Sequence, residues 1–194
     1  MLKGIIFDMD GVLINSEPFH YRVWKETLRQ RGVNLEYQVY KACIGSTVGF
    51  LMGLLHEHYG IDAQDSSLVR EMQEMKKKLI KKEGYPPLIP YVKELLQNLS
   101  GAGYQLAVAS SSPLAYIEEV TEHWEIGQYF THLISGESVK NPKPAPDVFL
   151  KAAEKLGVFP EECIVVEDSE NGCKAAKNAG MTCIAYYNPD SGKQ

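Results

Sequence analysis

The chain has 194 residues and a formal charge of −5, from 20 Lys and Arg against 25 Asp and Glu. That balance excludes the basic excess of a dedicated nucleic-acid binder, and no apolar run approaches transmembrane length. An anionic substrate stays open, because local charge decides such binding.

A hydrophobic fraction of 44% and a charged fraction of 23% suit a globular chain with one sizeable core, or a core plus a small second domain. Cys43, Cys163, Cys173 and Cys183 form no C-x-x-C pair, so reduced thiols are expected rather than zinc or disulfides. The start, "MLKGIIFD", turns acidic too soon for a signal peptide. The expectation is a cytoplasmic protein with no membrane and no nucleic-acid partner, and a monomer by default.

The first predicted element is the strand "GIIFD" (4–8), which runs into Asp8 and Asp10 and then Gly11. Strand residues two apart point to the same side. Two carboxylates that close repel unless a cation lies between them. Alone, the Asp10-Gly11 pair would read as the corner of a turn.

From about Ser16 to Leu88 no strand is predicted. "EPFHYRVWKETLRQRG" carries a helical stripe of Phe19, Val23, Trp24 and Leu28, and "VGFLMGLLHEHYG" and "SLVREMQEMKKKLIKKEG" read as helices too. In the last of these, Met72, Met75 and Leu79 are expected inward. The lysines among 76–78 then form a solvated face, with one of them facing a site as the alternative. His56 and His58 lack metal-protease spacing and read as surface residues. The proline-rich "EGYPPLIP" is the return linker.

Beyond it, strands "QLAVAS" (105–110), "HLIS" (132–135), "CIVVED" (163–168) and "TCIAYY" (182–187) alternate with helical segments. These helices are "PYVKELLQNLSGAG", "PLAYIEEVTEHWEI", "PDVFLKAAEKLG" and "NGCKAAKNAG". The alternation predicts an α/β fold, a doubly wound parallel sheet interrupted after its first strand by an all-helical insert. After "CIAYYNPDSGKQ" no helix is predicted to cover the last strand, so a short sheet or a further C-terminal piece is expected.

In such sheets ligands bind beyond the carboxyl ends of the strands. Those ends supply Asp8 and Asp10, then Ser110 to Ser112, then Lys140 and Lys143 in "KNPKPAPD", then Glu167 and Asp168 before "SENG". Four converging carboxylates would repel strongly without a cation. Oxygen-only ligation suits Mg²⁺, which takes one or two carboxylates, waters and a substrate phosphate. The residues alone predict Mg²⁺-dependent phosphoryl transfer, in which a carboxylate can be the nucleophile.

"DMDGVL", "ASS", "KPAPD" and "EDSENG", in that order at strand ends, resemble the four motifs of the haloacid dehalogenase superfamily, most closely its β-phosphoglucomutase-like branch. The resemblance spans nearly the whole chain. It implies a catalytic core of residues 1–15 and 88–194 and a helical cap of residues 16–87. Asp8 would be the nucleophile and a metal ligand. Asp10 would be the acid and base, with its backbone carbonyl on the metal. Ser110, with the backbone N–H groups of Met9 and Ser111, would bind the phosphoryl oxygens, and Lys143 would neutralise them. Glu167 and Asp168 would hold Mg²⁺, and Asn171 would support their loop. His20, near the hinge at Ser16, would touch the substrate or the catalytic acid; its plain alternative is packing on an apolar stripe.

The mutases of that branch grip a second phosphate with a cap arginine and with a serine-lysine-asparagine run. Here "CIGSTVGF" puts Val48 at the arginine position, and the run reads Ser112-Pro113-Leu114. Both departures favour a phosphatase for a small phosphorylated metabolite, with a sugar phosphate expected. A hexose-phosphate mutase is the alternative enzyme, and a non-catalytic binding or regulatory protein is the alternative class.

Overall fold

A computed structural model describes residues 1–44 and 47–191. Five strands form one parallel sheet in the order β3-β2-β1-β4-β5. They are β1 (Gly4–Phe7), β2 (Gln105–Ser110), β3 (His132–Ser135), β4 (Cys163–Glu167) and β5 (Thr182–Ala185). β1 lies at the centre, with Phe7 paired to Val108 on one side and to Val166 on the other. All four of its residues are buried, which is why it reads as a continuous apolar run.

The two-residue period of the strands sorts the core onto two faces. Ile5, Phe7, Leu106 and Val108 pack with Leu96 of α5 (Val92–Gly101) and with Ile117 and Val120 of α6 (Leu114–His123). Ile6, Ala107, Ala109 and Val165 pack on the opposite face with Phe149 and Ala152 of α7 (Asp147–Leu156) and Ala175 of α8 (Glu170–Asn178). Alanines on this second face let the helices approach the sheet closely, and Phe149 fills the space they leave. β3 and β5 are the edge strands, and Ile184 of β5 is exposed.

Between β1 and α5 the described residues form four helices: α1 (Glu17–Gln30), α2 (Tyr37–Lys41), α3 (Val48–Tyr59) and α4 (Ser66–Glu83). The expected stripe of α1 is borne out. Phe19 and Val23 meet Met75 and Leu79 of α4, while Trp24 and Leu28 join Leu51, Leu55 and Leu68 in a core of the segment's own. Helix α2 is additional to the predicted elements; at five residues it is too short to show a period.

The two connections between this segment and the sheet run side by side. Asn15 N–H donates to Pro87 O at 2.8 Å, Ile89 N–H donates to Leu13 O at 2.9 Å, and Ile14 bridges antiparallel to Leu88. His56 and His58 are exposed, as expected. All four cysteines are free thiols. Among the described residues, no helix is long and apolar enough to cross a membrane. Within "CIGSTVGF", Gly45 and Ser46 lie outside the described residues, as do the last three residues of the predicted "SGKQ" end.

Candidate active site

The chain turns sharply as it leaves β1. Gly11 adopts φ +83°, a left-handed conformation that favours glycine. A Cβ there would lie 1.9 Å from Asp168 Oδ2, so glycine is also required for the close approach of motif one to motif four. Met9 is fully buried, and its carbonyl accepts from the N–H groups of Leu13 and Ile14, which closes the loop.

Asp8 is buried at the carboxyl end of β1. Lys143 Nζ donates to Asp8 Oδ1 at 2.6 Å, to Glu167 Oε1 at 2.9 Å and to the Ala109 carbonyl at 3.2 Å. Burial works against the lysine's charge, but Asp8 and Glu167 outweigh it and hold the ammonium above the ordinary lysine range. For Asp8 the balance runs the other way. Burial, aided by Glu167, Asp168 and Asp10, raises its pKa well above the usual value despite Lys143.

Glu167 is turned toward the lysine. Its second oxygen, Oε2, accepts from the Ser169 N–H at 2.7 Å and the Ser169 hydroxyl at 3.0 Å. A Cβ on Gly172 in the first turn of α8 would lie 1.6 Å from Glu167 Oε1, so this glycine gives the carboxylate its place. Asn171 stands beside Gly172 in that same turn.

Asp168 faces Gly11 and accepts a hydrogen bond from the Ser191 hydroxyl. Burial pushes its pKa up to about 7, with Glu167 and Glu17 adding to the rise and Ser191 opposing it. Asp8 and Asp168 are thus buried oxygen donors whose charged forms are disfavoured, a donor set that fits a hard cation such as Mg²⁺. Among the described residues no group of three or more His, Cys, Asp or Glu side chains is gathered to hold a metal. One or two carboxylates with a carbonyl and water is the ordinary Mg²⁺ complement.

Asp10 has different company. His20 Nε2 lies 3.1 Å from Oδ1, and the Ser112 hydroxyl donates to Oδ2 at 2.7 Å. Burial alone would raise its pKa; His20 and Lys76 reverse that and hold the carboxyl well below the usual range. The sequence marks Ser112 only as part of a run that would grip a second phosphate, and it is in fact bonded to Asp10. Its carbonyl accepts from the Ser135 hydroxyl at 2.7 Å, and its N–H donates to the Ser110 hydroxyl at 3.0 Å. Ser110 is buried and Ser111 exposed. Lys140 is exposed.

Lys76 is the lysine of its run that turns inward; Lys77 and Lys78 are exposed. Its Nζ lies 3.2 Å from the Tyr116 ring centroid, and burial lowers its pKa against the opposing charges of Asp10 and Glu119. The solvated-face reading therefore holds for two lysines and fails for the third. Sequence reasoning also missed the loop after β5. There Asn188 donates to the Gly11 carbonyl at 2.9 Å, Asp190 accepts from Asn15 at 2.8 Å, and Ser191 binds Asp168. Nothing in "NPDS" signals those contacts.

Residues 5–186 match the model of the haloacid dehalogenase-like hydrolase family. The chain belongs to that family. This haloacid dehalogenase-like hydrolase is 34% identical over 183 residues to the fructose-1-phosphate phosphatase YqaB of Escherichia coli, covering 93% of this chain and 94% of that one. It is 32% identical to hexitol phosphatase B of the same organism, covering 98% and 86%. Among solved structures it resembles CbbY from Rhodobacter sphaeroides in complex with phosphate, with a TM-score of 0.85 and 28% identity over 98% of this chain and 88% of that one. In this hydrolase a surface groove of about 410 Å³ also runs beside α6, lined by Glu118, Glu122, Glu125 and Gln128; none of the motif residues lines it.

Proposed function

We propose that the protein hydrolyses the phosphoric monoester of a small polyhydroxylated metabolite, with Mg²⁺ and with Asp8 as nucleophile. One observation carries the reading: two aspartates two residues apart are held by opposite partners. Lys143 grips Asp8, whereas His20 and Ser112 grip Asp10. The phosphatase names of the relatives support the same reaction class.

In this scheme the anionic phosphate entering beside Asp10 favours that carboxyl's protonated form, and bound Mg²⁺ would favour the ionised form of Asp8. An Asp8 oxygen attacks phosphorus while the bond to the leaving oxygen breaks, and Asp10 gives that oxygen its proton. Asp10, now ionised, then takes a proton from water as the water attacks phosphorus, which releases phosphate and regenerates Asp8. Ser110 and the backbone N–H groups of Met9 and Ser111 receive the phosphoryl oxygens. Lys143 balances the charge that builds on them. Mg²⁺, held by Asp8, the Asp10 carbonyl and Asp168, would neutralise phosphoryl charge and orient the group for in-line attack. Glu167, expected on the metal beside Asp168, has both oxygens turned to Lys143 and Ser169 and in this scheme positions Lys143 instead, and Asn171 supports the loop. Residues 16–87 act as a cap that brings His20 to Asp10 and excludes water.

Val48 and Leu114, at the positions where a mutase would grip a second phosphate, are exposed apolar side chains. The same scheme with a sugar hydroxyl replacing water would be a mutase. The test is release of inorganic phosphate from an aryl phosphate and a sugar phosphate with Mg²⁺, by the wild-type chain and by Asp8→Asn. The variant is expected to lose at least roughly 10³-fold. Full activity in Asp8→Asn would overturn the mechanism, and isomerised sugar phosphate without free phosphate would select the mutase.

A further inference from the structure

The loop after β5 turns its aromatic side chains outward and its polar ones inward. Tyr186 and Tyr187 are exposed, whereas Asn188 and Ser191 are buried, the reverse of what packing for stability alone produces. Its hydrogen bonds run to the first and fourth motifs. The Tyr186 N–H donates to the Glu167 carbonyl at 2.7 Å, and Asn188 donates to the Gly11 carbonyl at 2.9 Å. Asp190 accepts from Asn15 at 2.8 Å, and the Ser191 hydroxyl donates to Asp168 Oδ2. The loop also braces itself. Asn188 Oδ1 accepts from the Asp190 N–H at 3.0 Å, and the Ser191 N–H donates to the Asn188 carbonyl at 3.1 Å. Ser191 is thus set in place by the same asparagine that holds Gly11.

Asp168 Oδ2 is closed in by two neighbours. Ser191 Oγ binds it, and a Cβ on Gly11 would lie 1.9 Å from Oδ2 and 3.0 Å from Ser191 Oγ. Gly11, Ser191 and one carboxylate oxygen therefore meet at one point. Burying a hydroxyl costs free energy unless it is hydrogen-bonded, and a bond to a carboxylate is among the strong ones. With Oδ2 held, the carboxylate cannot turn about its Cβ–Cγ bond, and the direction of Oδ1 is fixed with it.

We propose that Ser191 is a positioning residue for the metal site: its hydroxyl, held by the loop after β5, locks Asp168 in the orientation that ligates Mg²⁺. The inference rests on the reading of Asp168 as a Mg²⁺ ligand and adds the group that aims it. Hydrogen bonds behind a metal's own ligands fix their orientation, and losing one costs about 10–100-fold in affinity. Mg²⁺ demands near-ideal octahedral geometry, whereas Ca²⁺ accepts irregular sets of oxygens. A loosened Asp168 therefore harms Mg²⁺ binding most.

The experiment measures Kd for Mg²⁺ and for Ca²⁺ by titration calorimetry, on the full chain without substrate, for wild type and Ser191→Ala. The variant is expected to bind Mg²⁺ about tenfold or more weakly, and Ca²⁺ no more than about threefold weakly. In turnover of p-nitrophenyl phosphate, the Mg²⁺ concentration for half-maximal rate should rise by the same factor as Kd, while kcat returns at saturating Mg²⁺. Ser191 lies outside the apolar clusters of both the sheet and the inserted segment, so the variant keeps the fold.

A Mg²⁺ Kd within about threefold of wild type overturns the proposal. So does an equal weakening of both ions, because Ser191 would then support the loop without aiming the ligand. Wild-type Mg²⁺ binding with an unmoved variant leaves the phosphatase reading standing. A wild-type chain that binds no Mg²⁺ would instead sink the metal assignment and this inference with it.

Discussion

His20 Nε2, on the first helix of the inserted segment, lies 3.1 Å from Oδ1 of Asp10, on the loop that ends β1. This contact ties the helical segment to the group proposed to move the proton. A positioned general acid matters most when the leaving oxygen is a poor leaving group. His20→Asn is therefore expected to lower kcat on an alkyl phosphate about tenfold or more, and to lower it much less on p-nitrophenyl phosphate. Equal losses on both would show that His20 only packs.

Lys143 has a different weight, because it is the cation between two buried carboxylates. Lys143→Met leaves Asp8 and Glu167 facing each other with the charge between them removed. The expected loss is about 3–5 kcal/mol of stability, read by urea unfolding, together with loss of turnover. Adding Glu167→Gln removes one of the stranded charges and should recover part of the stability while activity stays lost.

Stability should also depend on pH and on Mg²⁺ in opposite senses. Asp168 is pushed up to about 7 and Asp8 is raised as well, so both bind protons more tightly folded than unfolded. For such groups stability falls as pH rises from the ordinary carboxylate range, about 4, toward 7. Asp10, whose pKa is lowered, stabilises the fold above the ordinary carboxylate range and loses that contribution only in stronger acid, so it leaves this interval unaffected. In EDTA the Tm is expected to drop across the interval. Adding Mg²⁺ at pH 7 should restore it, because a cation bound only by the folded state stabilises that state. A Tm at pH 7 indifferent to Mg²⁺ would contradict the assignment of Asp8 and Asp168 as ligands.

Gly172→Ala tests the place made for Glu167. Its new methyl would lie 1.6 Å from Glu167 Oε1, so the carboxylate must move off Lys143. A loss of about 1–3 kcal/mol is expected from the overlap. Activity should fall further than after the same change at Gly53, where a Cβ would meet nothing within 4 Å. Unchanged activity in Gly172→Ala would show that Glu167 does not position the lysine.

Much of this molecule is legible along the chain. Four of the five strands are short apolar runs followed by a motif, and each long helix carries a buried stripe. Helix α2 escapes notice because five residues cannot show a period. Glu167 and Asp168 look equivalent as neighbours in "EDSENG", yet one side chain binds Lys143 and Ser169 while the other faces Gly11 and Ser191. Lys76 could not be told from Lys77 and Lys78, because only the packing of α4 against α1 decides which lysine turns inward.

The sequence by itself determined the α/β class, the helical interruption after β1 and the inventory of groups at the strand ends, because hydrophobic period and strand order are properties of local chain. Pairing was decided by the tertiary structure. Lys143 reaches Asp8 across 135 positions, Ser112 reaches Asp10 across 102, and Asn188 reaches Gly11 across 177. Those contacts give two similar aspartates opposite electrostatic surroundings, and only the parallel sheet, by bringing its carboxyl ends together, can create them.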